Sequence, residues 1–290
     1  MNGYCMVGKV DILATGRVSK DDIVSDKRRL ARPNFLRWLV HEDEVEISGT
    51  VTKCYRIEPN IDDASLDEWA THIRRHYRRD KELQEALKGY PADLSSYLAD
   101  FVIPDAPEIR SGDFAEIVIC DLLEFMENYA VSRYKHLDRA DKNCSEHGSD
   151  VIAYRVTDSQ HPRSSDELLV VEVKSRASTT NLKQAIIDAG ADSMRDKARL
   201  AMTLDYHRCR SKQYGDSANA DAMARFLNRG EHPCREIYAV GAIAGVKNVE
   251  RHLGSAESKT LGLAEGASVY IVHKPKLMEM IHDLYRRCCL

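Results

Sequence analysis

The hydrophobic pattern of the chain changes period several times, and each period predicts a different element. Between Phe114 and Tyr129, apolar residues recur at three- and four-residue intervals, the spacing of one helix face. We therefore predict a helix from Ser111 or Asp113 to about Arg133. A polar segment follows and ends in the letters HGSD.

Two short apolar runs come next, at residues 150–156 and 167–175. The turn-rich letters TDSQHPRSSD separate them, so we expect an antiparallel pair of strands. The rest of the chain predicts a long helix from about residue 182, strands at 235–244 and 268–273, and an amphipathic helix at 276–287. This succession is typical of a mixed α/β domain.

The first third of the chain predicts a smaller α/β region. Strand-like runs at residues 4–14 and 45–57 precede a helical pattern from Ser65, where Ser65 and Glu68 have the spacing of a capping box. The Pro-punctuated stretch at residues 101–113 is the clearest boundary signal. We therefore predict an N-terminal α/β region at residues 1–105 and a second domain at 106–290.

Composition narrows the class of protein. The 290 residues are 43% hydrophobic, which is enough for a sizeable core. Their formal net charge is -4, so any contact with nucleic acid must be local or shared with a partner. No signal-peptide pattern or membrane-length apolar run is present, which predicts a cytoplasmic protein without membrane contact. The eight cysteines include no C-x-x-C pair and are expected to be free thiols.

The strand ELLVVEVKSR contains the most unusual chemistry. Alternation places Val170, Glu172 and Lys174 on one face and the apolar positions between them on the other. Two charged groups in an apolar strand are costly to bury unless they pair, bind a metal or line a wet cleft. A functional site is one way to explain them.

Two other carboxylates are predicted to converge on this strand. Asp150 opens the preceding strand beside Glu172, and Glu116 lies on a helix face shared with Cys120 and Leu123. Asp150 and Glu172, with Glu116 as a further ligand or base, would suit Mg²⁺ or Mn²⁺, which prefer oxygen donors and activate water. Lys174 would orient that water and offset transition-state charge.

The carboxylate-x-Lys triplet alone is weak evidence. A second copy, Glu257 to Lys259, lies in a polar loop. In the alternative interpretation, Glu172 and Lys174 form an exposed ion pair and Asp150 caps a turn. The apolar strand, the preceding Gly-Ser-Asp and the acidic helix favour the metal site.

Asp150 and Glu172-Val173-Lys174, after a helix that carries Glu116, resemble the PD-(D/E)xK nuclease superfamily over roughly residues 110 to 200. The resemblance implies a restriction-endonuclease-like core, a mixed sheet flanked by helices, and catalysis by these four residues. The proline of the superfamily's name is absent before Asp150, which leaves the aspartate dependent on Gly148 and Ser149 for its geometry. Gln184 is a weaker further candidate.

The segments RSGDFAEIVICDLLE, LLVVEVKSR and QAIIDAGADS are similar to the HamA family, the nuclease subunits of the Hachiman anti-phage defence system. This resemblance implies a DNase restrained by a superfamily 2 helicase subunit of the HamB type and released to degrade DNA. The N-terminal region would then be the partner-binding part. The open alternatives are a stand-alone restriction or repair nuclease and a catalytically silent module that binds DNA or a partner.

Two groups of basic residues fit either a phosphate track or ordinary solvated helix faces. The first lies at residues 72–79 and the second at residues 195–212.

Overall fold

A seven-stranded sheet organises the fold in this computed structural model, which describes residues 32–43, 45–90, 93–146 and 148–290. The strands are β1 (Leu39–Glu42), β2 (Thr50–Ile57), β3 (Ala130–Val131), β4 (Val151–Arg155), β5 (Glu167–Arg176), β6 (Arg235–Ala244) and β7 (Ala267–His273). Their order across the sheet is β1-β2-β7-β6-β5-β4-β3. The predicted strand at residues 4–14 lies outside the described residues.

The sheet is mixed, as predicted. Strands β2, β7, β6 and β5 are parallel to one another, whereas β1 at one edge and β4 and β3 at the other run antiparallel to their neighbours. The central strands are buried on both faces, which explains their nearly continuous apolar runs. Strands predicted at residues 235–244 and 268–273 are confirmed as β6 and β7.

Helices cover both faces of the sheet. They are α1 (Asp63–Tyr77), α2 (Asp80–Leu87), α3 (Leu94–Tyr97), α4 (Pro107–Phe125), α5 (Leu182–Gln213), α6 (Ser217–Leu227), α7 (Glu250–Leu253) and α8 (Leu277–Arg287). Short 3-10 turns form at Asn34–Trp38 and Ser258–Leu261, and a π-helical turn at Leu98–Val102. Helices α1, α4 and α8 share a core on one face, while α5 and α6 pack on the other.

The predicted hairpin is confirmed, and β5 has the predicted alternation. Val151 pairs with Val171 in the antiparallel β4–β5 ladder. Leu169, Val171 and Val173 belong to the core beneath α4, whereas Val170 packs with α5 and α6. This register brings the start of β4 beside the second half of β5.

Helix α4 differs from the prediction at both ends. It begins at Pro107, because a proline needs no backbone hydrogen bond in the first turn, and it ends at Phe125 rather than near Arg133. Asn128 then takes a left-handed conformation with φ 57°, and Ala130–Val131 join the sheet as β3. Tertiary pairing of this edge strand therefore overrides the continuing helical pattern.

The predicted cap of α1 is also wrong. Asp62, not Ser65, is the N-cap residue, and its side chain accepts a hydrogen bond from the Ser65 backbone N–H at 2.9 Å. Glu68 accepts from the backbone N–H of Asn34 at 2.9 Å instead of closing a capping box. The prediction also lacked α6, which follows α5 after the turn at Gly215 (φ 72°).

Residues Asn34–Leu290 form one compact unit, and strands from both sides of residue 105 share its sheet. The functional division at residue 105 into a partner-binding part and a nuclease part stays a prediction. None of the helices in the described ranges is both long and apolar enough to cross a membrane.

Candidate active site

The four predicted site residues come from three elements that meet at one end of the β4–β5 hairpin. Glu116 projects from the middle of α4, Asp150 immediately precedes β4, and Glu172 and Lys174 lie on β5. Glu116 and Glu172 are buried, whereas Lys174 is partly exposed at 25% of its side chain. The structure brings the four together through a chain of ion pairs and hydrogen bonds.

Asp150 is held by both of its carboxylate oxygens. Its Oδ2 accepts a hydrogen bond from the Val173 backbone N–H at 2.8 Å, and its Oδ1 lies 2.7 Å from Lys135 Nζ. Gly148, with φ 116°, supplies the backbone turn that leads into this position. These contacts fix the carboxylate beside the second half of β5, although no proline precedes Asp150.

Lys135 is a member of this cluster that the sequence did not reveal. Its ammonium lies 2.9 Å from Glu116 Oε2 and 2.7 Å from Asp150 Oδ1. The side chain is 6% exposed, so this cation is inside the protein between two carboxylates. No local pattern indicates Lys135, because its burial results from how the segment after β3 packs against the middle of α4.

Glu172 and Lys174 form the other half of the cluster. Lys174 Nζ is 2.8 Å from Glu172 Oε1 and 2.8 Å from Asp192 Oδ2 on α5. Arg199, also on α5, approaches Glu172 Oε2 at 3.9 Å. Asp192 was not among the predicted site residues; it lies ten residues into a helix whose register cannot be related to β5 without the fold.

Burial and charge separate the protonation behaviour of the three carboxylates. Burial raises the pKa of Glu116 well above its usual value, despite the opposing effect of Lys135. Burial and the neighbouring Asp150 raise the pKa of Glu172 to about 7. Burial acts the same way on Asp150, but Lys135 and the Val173 N–H outweigh it and lower the pKa of Asp150. Unequal pKa values among clustered acids are characteristic of functional sites.

Buried polar and charged side chains from the segment after β3 contact Glu116 and the preceding turn of α4. His136 Nε2 is 3.4 Å from Glu116 Oε2, and burial lowers the pKa of this imidazole to about 3. One turn before Glu116, Asp113 accepts two hydrogen bonds from Arg139, at 2.7 and 2.8 Å, and one from Tyr77 at 2.6 Å. These contacts hold the middle of α4 against the segment that contains Lys135.

The donor set suits a hard divalent cation. Asp150 and Glu172 offer carboxylate oxygens, and Glu172 Oε2 is buried without a hydrogen-bond partner among the described residues. Arg199, at 3.9 Å, is too far from this oxygen to donate a hydrogen bond, and a buried acceptor without a partner is costly unless a cation binds to it. Between Glu116 and Asp150, the Lys135 ammonium already occupies the cationic position, so a metal held by Glu116 as well would have to displace it.

Gln184 is not brought into this cluster by any contact among the described residues; its amide donates to Asp188 at 2.8 Å. Several basic residues of α1 and α5 are likewise engaged with acidic partners. These pairs include Arg74 and Arg75 with Asp80, Arg195 with Asp192, and Arg208 with Asp205. The pairings are what the solvated-face interpretation predicts for these helices.

A comparison with known protein families shows which family the chain belongs to. A family model described as HamA matches residues 33–288. The chain belongs to the HamA family. A separate search of curated proteins found no match to the chain.

HamA membership supports assignment of the protein to the Hachiman anti-phage defence system, as the sequence resemblance implied. The match extends from before β1 through α8, so it includes Glu116, Asp150, Glu172 and Lys174 together with Lys135 and Asp192. The cluster therefore lies within the part of the chain that defines the HamA family.

Proposed function

We propose that this HamA chain is a deoxyribonuclease of PD-(D/E)xK type that depends on Mg²⁺ or Mn²⁺. The observation that supports it best is the hydrogen bond from Val173 N–H to Asp150 Oδ2, which sets the Asp150 carboxylate beside Glu172 with Lys174 two residues further on. Two acids and an ammonium at adjacent strand positions are the donor set of metal-assisted phosphodiester hydrolysis.

In this proposal Asp150 and Glu172 hold the metal, and Glu116 is a further ligand or base. When bound, the metal supplies a water of lowered pKa and positive charge for the phosphate oxygens. Lys174 donates toward the attacking water and offsets negative charge that develops on the phosphate, while Asp192 keeps its ammonium at the edge of the site. Glu116, with its raised pKa, can hold a proton.

The proposed biological role is DNA degradation under control of a helicase of the HamB type. The formal charge of -4 and the many paired arginines argue for DNA that is delivered or held with help from a partner. Residues 1–105, which contain none of the four site residues, are the proposed partner-binding part.

A plasmid-nicking experiment tests the catalytic proposal. Purified protein, alone and with its helicase partner, is incubated with supercoiled plasmid and Mg²⁺ beside Glu172→Ala and Lys174→Ala. We expect Mg²⁺-dependent nicking that both substitutions abolish. Lys259→Ala is the matched control, because it changes the other carboxylate-x-Lys triplet, which lies in an exposed turn.

One observation favours a second candidate, a silent module that binds DNA or the partner. Lys135 and Lys174 each bridge two carboxylates, so ion pairs within the protein can satisfy much of the acidic cluster. This candidate predicts no cleavage under any condition and no binding of Mg²⁺ or Mn²⁺ by calorimetry.

A further inference from the structure

A second cluster of metal-ligand residues lies at the opposite edge of the sheet from β3. Glu42 ends β1, Cys54 lies on β2, and His273 ends β7. One ligand atom from each lies within 4.8 Å of the other two. Glu42 and Cys54 are directly paired across β1 and β2, and β2 is hydrogen-bonded to β7, so three adjacent strands each contribute one ligand.

His273 has the orientation of a metal-binding imidazole. Its Nδ1 lies 3.1 Å from the Val246 carbonyl oxygen. A carbonyl can only accept, so Nδ1 carries the hydrogen of this contact, and in the neutral ring Nε2 presents a lone pair. Donation from the other ring nitrogen to a backbone carbonyl is the usual way in which proteins orient a histidine ligand.

That lone pair faces another acceptor. His273 Nε2 is 2.9 Å from Glu42 Oε2, and two acceptors at this distance need a proton or a metal ion between them. Arg56 occupies the other carboxylate oxygen, with its Nε 3.0 Å from Glu42 Oε1. Oε2 is therefore the oxygen that faces the other two residues: it lies beside His273 Nε2 and accepts from the Cys54 thiol, whose sulfur is 3.8 Å away.

The distances and ligand types agree best with zinc. Tetrahedral Zn²⁺ bonds of about 2.0–2.3 Å place neighbouring ligand atoms roughly 3.3–3.5 Å apart. The observed separations of 2.9 and 3.8 Å fall on either side of that range, so small side-chain movements would complete the site. A thiolate and an imidazole favour Zn²⁺ over the hard Mg²⁺ expected at the nuclease site.

The other group with metal-ligand spacing in the described ranges, His72, His76 and Asp121, differs because it already contains a cation. The Arg133 guanidinium lies 3.0 Å from His76 Nε2 and 2.8 Å from Asp121 Oδ1. An arginine thus supplies positive charge where a metal ion would have to bind.

We propose that Glu42, Cys54 and His273 form a zinc site that ties the edge strand β1 to β2 and β7. Cys54 and His273 are each 1% exposed, whereas the Glu42 side chain is 28% exposed, so ion and water reach the site from the Glu42 side. Cys54 binds as a thiolate and releases its proton to solvent. A water completes the tetrahedron.

Cobalt substitution tests the site without relying on nuclease activity. The full chain carrying Glu172→Ala, which weakens the candidate Mg²⁺ site, is freed of metal and titrated with Co²⁺. We expect one tightly bound ion with the visible bands of tetrahedral Co²⁺ and a thiolate-to-cobalt charge-transfer band. Cys54→Ser should abolish the charge-transfer band, and His273→Gln should weaken Co²⁺ binding at least about tenfold.

Two controls separate this site from others. Cys209→Ser changes an exposed thiol and His72→Gln changes the arginine-filled group, and both should leave the spectrum unchanged. If a core variant fails to fold, Glu42→Gln keeps the side-chain shape at a partly exposed position and should still weaken Co²⁺ binding. Absence of the charge-transfer band in the folded protein, its persistence in Cys54→Ser, or unchanged affinity in Glu42→Gln would overturn the zinc site.

Discussion

The backbone N–H of Val173 donates to the Asp150 carboxylate at 2.8 Å, so a main-chain group of β5 positions an acid from the start of β4. A contact of this kind depends on strand register rather than on a particular side chain at position 173. It also leaves the second oxygen of Asp150 available to a cation, here the Lys135 ammonium. The hairpin thereby sets the spacing of the proposed metal ligands.

Loss of the Lys174 ammonium should remove catalysis and leave the fold intact. The side chain is partly exposed and ends in contacts with Glu172 and Asp192, so its removal opens no core cavity. Glu172, whose pKa is already raised to about 7, can take up a proton when this ammonium is lost. We expect Lys174→Ala to lower the rate of Mg²⁺-dependent plasmid nicking by at least about 10²-fold, the scale of losing one group that stabilises the transition state. Wild-type nicking rates in a folded Lys174→Ala protein would rule out this role, and Lys259→Ala should nick normally.

The positions of Glu172 and Lys174 could be predicted because successive side chains of a strand alternate between its two faces. That alternation and the antiparallel hairpin are enough to place Glu172, Lys174 and Asp150 together. Lys135 and Asp192 could not be predicted, since their approach depends on how a loop and a long helix cross the sheet. The early end of α4 was missed for the same reason: residues after Asn128 pair with β4 instead of extending the helix.

The binding of Mg²⁺ should depend on pH near neutrality. Glu172 has a pKa raised to about 7, so it is largely protonated at pH 6 and largely ionised at pH 8, and only the ionised carboxylate binds a metal well. The apparent affinity for Mg²⁺, measured from nicking rates over a magnesium titration, should rise between pH 6 and pH 8. At saturating Mg²⁺ the nicking rate itself should depend less on pH, because the bound ion favours the ionised form of Glu172. A Mg²⁺ affinity that does not change across this range would contradict the prediction.

Replacement of Lys135 tests whether its ammonium and a metal compete for one position. Lys135→Met leaves Glu116 and Asp150 without their shared cation in a buried site, and breaking a buried pair in this way costs about 3–5 kcal/mol of unfolding free energy. Urea denaturation should show this loss in the absence of Mg²⁺. Added Mg²⁺ should recover more stability in Lys135→Met than in the wild type, since the ion takes the vacated position.

Lys142→Met is the matched control for that experiment. Lys142 also pairs with an aspartate, Asp105, but this partner is 62% exposed, so removing the ammonium leaves no buried carboxylate unpaired and should cost less stability than Lys135→Met. Magnesium should not rescue the control. Equal Mg²⁺ effects on the two variants would mean that the ion does not bind where Lys135 lies.

Asp192 and Gln184 lie on the same helix and allow a paired test of positioning. Asp192 holds Lys174 Nζ at 2.8 Å, whereas Gln184 contacts Asp188 and is exposed. Asp192→Asn keeps the shape but removes the charge, so the ammonium of Lys174 should become less fixed. We expect the nicking rate at saturating DNA to fall by about tenfold while the apparent affinity for DNA changes little, which corresponds to the loss of a contact made in the transition state. Gln184→Ala should leave both quantities unchanged. If Asp192→Asn weakened DNA affinity and left the saturated rate intact, Asp192 would act in DNA binding and not in positioning Lys174.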